Sequence, residues 1–166
     1  MNNTTLEQYA EQLGLLLQQR NWYLVTAESC TGGWIAQVMT AIAGSSNWFE
    51  RGFVTYSNVS KQEMLGVTEN QLNQYGAVSE QTVLAMVKGA LSRSYAHVGI
   101  AVSGVAGPSG GTIEKPVGTV WIAYGHPQKQ WAKLCHFKGD RQSIRQQTVL
   151  TALQELIEDI QPTIVR

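Results

Sequence analysis

The residues able to do chemistry fall into a few short segments, and the first is Ala27-Glu28-Ser29-Cys30-Thr31-Gly32-Gly33. It sets a hydroxyl and a thiol side by side, ahead of two glycines. If such a segment joins a strand to a helix, the unpaired N–H groups at the helix start can hold a developing oxyanion. Gly32 and Gly33 would let a substrate approach the backbone. Ser29 or Cys30 is then the candidate nucleophile. The plainer alternative is that Ser29 caps the helix and Cys30 packs as a small hydrophobe.

A nucleophilic serine needs a base. The three histidines, His97, His126 and His136, lie around later strands with no Asp or Glu beside them in sequence, so a Ser-His-Asp triad is poorly supported. Lys61, in Tyr56-Ser57-Asn58-Val59-Ser60-Lys61, offers another route. A lysine desolvated in a cleft loses its proton near neutral pH and can then act on a hydroxyl. The competing role is a solvated helix lysine.

Two further segments could bind a ligand. Ser103-Gly104-Val105-Ala106-Gly107-Pro108-Ser109-Gly110-Gly111-Thr112 has the backbone freedom to surround an anion or a sugar, with Ser103, Gly104 and Gly107 as candidate contacts. A flexible connector would have the same composition. The loop matches neither the Walker pattern nor the dinucleotide fingerprint, which disfavours ATP and NAD. Arg141 and Arg145 stand four apart at a predicted helix start, on one face. There, guanidinium groups and terminal amides could hold a phosphate, unless Asp140 is itself their partner.

The elements that must position these groups follow from hydrophobic spacing. A first amphipathic helix is expected over Leu6 to Gln19, with Thr4 and Thr5 as caps. A strand over Trp22 to Ala27 leads into a helix over Thr31 to Ala43. Next come a short strand from Phe53 to Tyr56 and helices from Asn58 to Leu65, from Thr68 to Gln74, and from a Ser79 cap through Arg93. Val98 to Ser103 suits a buried parallel strand. Val117 to Tyr124 and Trp131 to Phe137 form a hairpin around His126 and Pro127. Asp140 then caps a final helix that turns Ile144, Val149, Leu153, Leu156 and Ile157 inward. Alternating helices and strands predict a three-layer α/β/α fold with a mixed, mostly parallel sheet that includes an antiparallel strand. At 166 residues a single domain spanning 1–166 is expected.

Composition narrows the function. Twelve basic residues balance twelve acidic ones, so no global field holds a polyanion and duplex nucleic acid is not an expected partner. Cys30 and Cys135 are far apart, with no metal spacing, which suggests neither a disulfide framework nor a zinc site and fits the cytoplasm. No apolar run approaches the roughly 18 residues of a membrane span.

With those residues in view, the chain resembles the CinA C-terminal domain family and, within it, the stand-alone bacterial nicotinamide-nucleotide amidases. The resemblance rests on Thr26-Ala27-Glu28-Ser29-Cys30-Thr31-Gly32-Gly33, Gly44-Ser45-Ser46, and Gly52-Phe53-Val54-Thr55-Tyr56-Ser57-Asn58 with Lys61. It extends to Gly76-Ala77-Val78-Ser79, Ser103 to Pro108 with Gly110-Gly111, and Lys115-Pro116-Val117-Gly118-Thr119-Val120. It implies hydrolysis of the carboxamide of nicotinamide mononucleotide, without metal or cofactor, in a homodimer. It further implies that Ser29 is the nucleophile, Lys61 the base and Tyr56 a site residue. Cys30 and Thr31 would supply amides, Ser46 would lie among the substrate contacts, and Arg145 with Arg141 would meet the phosphate. The alternative from another class is a non-catalytic, nucleotide-binding regulatory module. A thiol mechanism at Cys30 ranks last, because no histidine is placed to activate it.

Overall fold

Leu6, Ala10, Leu13 and Leu17 recur at helical spacing and all are fully buried, so one face of the first helix enters the core. In the computed structural model, which describes residues 3–162, that helix is α1 (Asn3–Gln19). Thr4 and Thr5 lie inside it rather than capping it. Its stop involves Asn21, which adopts φ 55°. The Asn21 amide donates to the Gln18 carbonyl and the Trp22 amide to that of Leu17. That pairing, with a left-handed residue after the cap, is a Schellman stop. Trp22 therefore belongs to the helix end, and β1 is Leu24–Glu28 rather than starting at Trp22.

The remaining elements are α2 (Trp34–Thr40), a short 3₁₀ turn at Ser45–Asn47, β2 (Phe49–Val54), α3 (Asn58–Leu65), α4 (Glu69–Tyr75) and α5 (Glu80–Ser92). They are followed by β3 (Val98–Gly104), β4 (Thr119–His126), β5 (Lys129–His136) and α6 (Arg141–Ile160). Ser79 and Asp140 cap their helices as expected, and Thr68, read as a first helical residue, is the cap of α4. Thr68 accepts from the Gln71 amide, Ser79 from that of Thr82 and Asp140 from that of Ser143. β2 begins earlier than its apolar run suggested, at Phe49, because Phe49 pairs with Leu24 across a one-residue irregularity before the regular pairing of Arg51–Val54 with Val25–Glu28.

The five strands stand in the order β2-β1-β3-β4-β5. β1 pairs in parallel with β2 and β3, whereas β4 pairs antiparallel with β3 and β5. β4 thus opposes the other four. Central β1 and β3 are buried almost throughout, as expected of parallel strands covered on both faces. The faces differ in side-chain size. Leu24, Ile100, Val102, Val120, Ile122 and Tyr124 pack toward α1, α2 and α6. Ala27, Ala101 and Ala123 face α5, and at Gly99 and Gly125 any Cβ would lie 2.8 and 2.9 Å from Val87 and Leu91 of that helix.

Small residues beneath α5 let it lie close to the sheet, and the helix in turn seats α3. A methyl at Gly89 would overlap the carbonyl oxygen of Leu65, at the end of α3. An exposed mid-helix glycine normally gains about 1 kcal/mol on change to alanine, but here the overpacking cost of about 1–3 kcal/mol opposes it. Gly89→Ala should therefore lower the melting temperature by several degrees in a circular-dichroism melt. An unchanged or raised midpoint would show that α3 is not seated there. No described helix is long and apolar enough to cross a membrane.

Candidate active site

At the C-terminal end of β1 the chain turns through residues 29–33, with Gly32 at φ 60° and Gly33 at φ 97°. Those left-handed values suit glycine and delay the helix, so α2 starts at Trp34 rather than Thr31. Gly33 occupies the N-cap without a capping side chain. The missing cap comes from Glu28, whose carboxylate accepts from the amides of Ile35 at 2.8 Å and Ala36 at 3.0 Å and from the Thr31 hydroxyl at 2.6 Å. Burial pushes the Glu28 pKa up, against the lowering effect of these hydrogen bonds. It lies 1% exposed beneath the turn.

Arg145 holds the same turn from outside. Its Nε donates to the Cys30 carbonyl and its Nη2 to the Thr31 carbonyl, both at 3.1 Å, and its guanidinium lies over the Trp34 ring. Two of its donors therefore serve the backbone. Asp140 caps α6 through the Ser143 amide rather than pairing with either arginine.

Lys61 comes from the first turns of α3. Ser57 and Ser60 form a reciprocal capping box there, which fixes the helix start. Long helical side chains lean toward the N-terminus, and Lys61 leans back to the residues before α3. Its Nζ lies 2.8 Å from the Thr55 carbonyl, 3.3 Å from that of Tyr56 and 3.0 Å from Ser29 Oγ. It is 1% exposed, and burial lowers its pKa. A neutral amine has two N–H bonds and one lone pair. In its neutral form, with both hydrogens on those carbonyls, the amine would turn its lone pair to the Ser29 hydroxyl.

Cys30, the rival nucleophile, has its pKa pushed up to about 12 by burial, with the Glu28 carboxylate adding to the shift. It stays a thiol at neutral pH, which makes it a poor nucleophile. No histidine serves either group. His97 and His126 lie at the opposite end of the sheet, and His136 is exposed on edge strand β5.

Ser29 and Lys61 open into a cavity of about 190 Å³ lined also by Cys30, Tyr56, Asn58, Ala77, Val78, Ser103, Gly104, Ala106 and Arg141. Ser103 is 1% exposed, and its hydroxyl engages no protein group among the described residues. Arg141 reaches across the mouth, donating to the Gly107 carbonyl at 2.8 Å and to the Tyr56 hydroxyl at 3.0 Å. The Tyr56 side chain thus meets Arg141 rather than the Ser29–Lys61 pair. Among the described residues no group of His, Cys, Asp and Glu is gathered to hold a metal ion.

The structure brings Ser29, Cys30, Tyr56, Lys61, Ser103, Gly104 and Arg141 to one cavity, with Gly107 at its rim. Thr31, Gly32, Gly33 and Arg145 stand in or against the turn behind it. Ser46 is elsewhere, exposed in the 3₁₀ turn that precedes β2 at the far end of the sheet. Its motif shapes the turn feeding the edge strand. Sequence reasoning missed Asn58, Ala77, Val78 and Ala106 as lining residues. The capping box could have placed Asn58, because its first residue, Ser57, immediately precedes it.

The CinA C-terminal domain model matches residues 6–160. The chain is 51% identical over 159 residues to the nicotinamide-nucleotide amidohydrolase PncC of Shigella flexneri, covering 94% of this chain and 95% of that protein. It is 51% identical over 149 residues to PncC of Pseudomonas putida, covering 90% and 93%. Among solved structures, the competence/damage inducible protein CihA from Agrobacterium tumefaciens superposes with a TM-score of 0.92 at 44% identity, covering 97% of this chain and 98% of that one. By sequence and by architecture, this chain belongs to the CinA C-terminal domain family.

Proposed function

We propose that the protein is a nicotinamide-nucleotide amidase, converting nicotinamide mononucleotide and water to nicotinic acid mononucleotide and ammonia. The observation that carries this reading is the 3.0 Å contact between Lys61 Nζ and Ser29 Oγ inside a small cavity. The similarity to PncC proteins supports the choice of substrate. Neutral Lys61 takes the Ser29 proton as Oγ attacks the carboxamide carbon. The oxyanion faces the amides of Cys30 and Thr31 and the Ser103 hydroxyl. Lys61 returns the proton to the departing ammonia, and water, deprotonated by the same amine, hydrolyses the acyl ester on Ser29.

The cavity is smaller than the roughly 300–1,000 Å³ that encloses a whole drug-sized ligand, so it takes the carboxamide and ring while the ribose phosphate lies at the mouth. Arg141 is the arginine positioned there, and the phosphate role passes to it, with Arg145 acting on the turn. Arg141→Ala should raise KM for the mononucleotide about 10- to 100-fold, as expected for losing a charge-assisted hydrogen bond. Turnover of nicotinamide riboside, which lacks the phosphate, should be far less affected. An equal effect on both substrates would remove Arg141 from phosphate recognition.

Purified protein mixed with the mononucleotide should release ammonia and the acid in equal amounts. Binding without product would refute the amidase reading and favour a nucleotide-binding module. The reading includes a cytoplasmic homodimer, as the family resemblance implies, and sedimentation velocity measures the assembly state directly.

A further inference from the structure

Among the backbone donors of residues 30–36, one stands apart from the rest. The Gly32 amide donates to the Ser29 carbonyl and the Trp34 amide to the Thr31 carbonyl. Ile35, Ala36 and the Thr31 hydroxyl donate to Glu28, and Gly33 also bonds to that carboxylate. The Cys30 amide turns to its own side-chain sulfur, a weak acceptor, and the Thr31 amide has no protein acceptor among the described residues. Buried backbone donors are seldom left unpaired, so the Thr31 amide, two residues after the nucleophile, marks where an acceptor from outside the chain belongs.

We propose that Glu28 is a positioning residue for this reaction. By gathering the α2 amides and the Thr31 hydroxyl beneath the turn, it leaves the Thr31 amide as the free donor beside Ser29, next to a Cys30 amide held only by its own weakly accepting sulfur. The carboxylate does not touch the substrate; it acts through the turn. Arg145 complements it from the other side by holding the Cys30 and Thr31 carbonyls, which fixes the plane of the peptide between those residues and hence the direction of the Thr31 N–H. The inference rests on the amidase reading for its substrate but not for its geometry.

The test uses Glu28→Gln, which keeps the size of the side chain but replaces one acceptor oxygen with a donor nitrogen that opposes the α2 amides. Thr31→Val and Thr31→Ser are the companion variants. With nicotinamide mononucleotide, Glu28→Gln should lower kcat about 100- to 1,000-fold, the scale of losing oxyanion donors, with KM within threefold of wild type. Thr31→Val should lower kcat about five- to tenfold, the scale of one hydrogen bond, and Thr31→Ser, which keeps the hydroxyl, should restore it. A merely structural role would lower the melting temperature without this split between kcat and KM.

A second arm needs no amide substrate. An alkyl fluorophosphonate should label Ser29: the Oγ–P bond forms as the P–F bond breaks, fluoride leaves, and the proton passes to Lys61. Intact-protein mass spectrometry follows the rate, which should fall in Glu28→Gln in parallel with kcat. Should Glu28→Gln fail to fold, the Thr31 pair decides. A Glu28→Gln protein within threefold of wild type in kcat and labelling, or a Thr31→Val equal to Thr31→Ser, overturns the inference. Wild-type protein that labels but leaves the mononucleotide intact overturns the substrate assignment, and the inference then stands if Glu28→Gln labels about 100-fold more slowly and falls if it labels within threefold of wild type. Wild-type protein that does neither overturns both.

Discussion

Ser29→Ala should abolish ammonia release from nicotinamide mononucleotide, with kcat falling by about 10⁴-fold or more, the scale seen when a covalent nucleophile is removed from a group that acts as a unit. Binding of the mononucleotide, measured by calorimetry, should stay within a few-fold of wild type, because the hydroxyl is one small group in a wall made by several segments. Turnover that survives the substitution would refute the nucleophile assignment. Cys30→Ser tests the rival directly. With its thiol held protonated, that variant should keep activity within about tenfold, because it replaces one small, unionised side chain with another.

Lys61→Met should be almost as damaging, about 10³- to 10⁴-fold in kcat, since it removes the proton acceptor while filling similar space. The pH profile carries the sharper information. Only the neutral amine accepts a proton, so wild-type kcat/KM should rise with pH as Lys61 deprotonates. Because burial lowers its pKa, that rise should come below the ordinary lysine value of about 10.4. Any residual rate in Lys61→Met should lack this limb.

The same shift has a stability consequence with a definite sign. Between the lowered folded pKa and the unfolded one, the unfolded chain binds more protons, so stability rises with pH across that window. Below the window the full cost of burying an ammonium remains. Lys61→Met should therefore melt higher than wild type at neutral pH even as it loses activity. A lower melting temperature would indicate that the three hydrogen bonds to Lys61 outweigh its desolvation.

Much of the fold was legible where local chemistry decides the structure. α3 spans Asn58–Leu65 as expected from the strand and turn before it, and Ser79 and Asp140 cap as their types predict. Legibility failed where a boundary depends on contacts distant in sequence. Trp22 reads as a strand residue, yet its amide closes α1. Thr31 reads as a helix start, yet two glycines in left-handed conformation intervene. Glu28 has no capping position in sequence, because it reaches α2 from the strand before it.

The site divides in the same way. Ser29 and Lys61 were identified as candidates from residue type and placement, but nothing in the sequence joins two groups 32 positions apart. Only the parallel pairing of β1 with β2 carries the end of β2 beside the end of β1, so that α3 starts next to the nucleophile turn. Arg145 and Arg141 look alike by spacing, yet one meets backbone carbonyls and the other the mouth of the cavity. Helical periodicity places them on one side but says nothing of what each reaches.

The unequal faces of the sheet bear on how this catalyst tolerates change. Between α3, which carries Lys61, and the sheet stands α5, and small residues set its close approach on both sides: Gly89 against the main chain of Leu65, and Gly99 and Gly125 beneath Val87 and Leu91. A methyl added at Gly89 would meet the main-chain oxygen of Leu65, which no rotamer change can move, and must shift α3 as a body, and with it the reach of the amine. Drift at those remote sites would register first as altered ionisation and slower proton transfer, well before the molecule loses its shape.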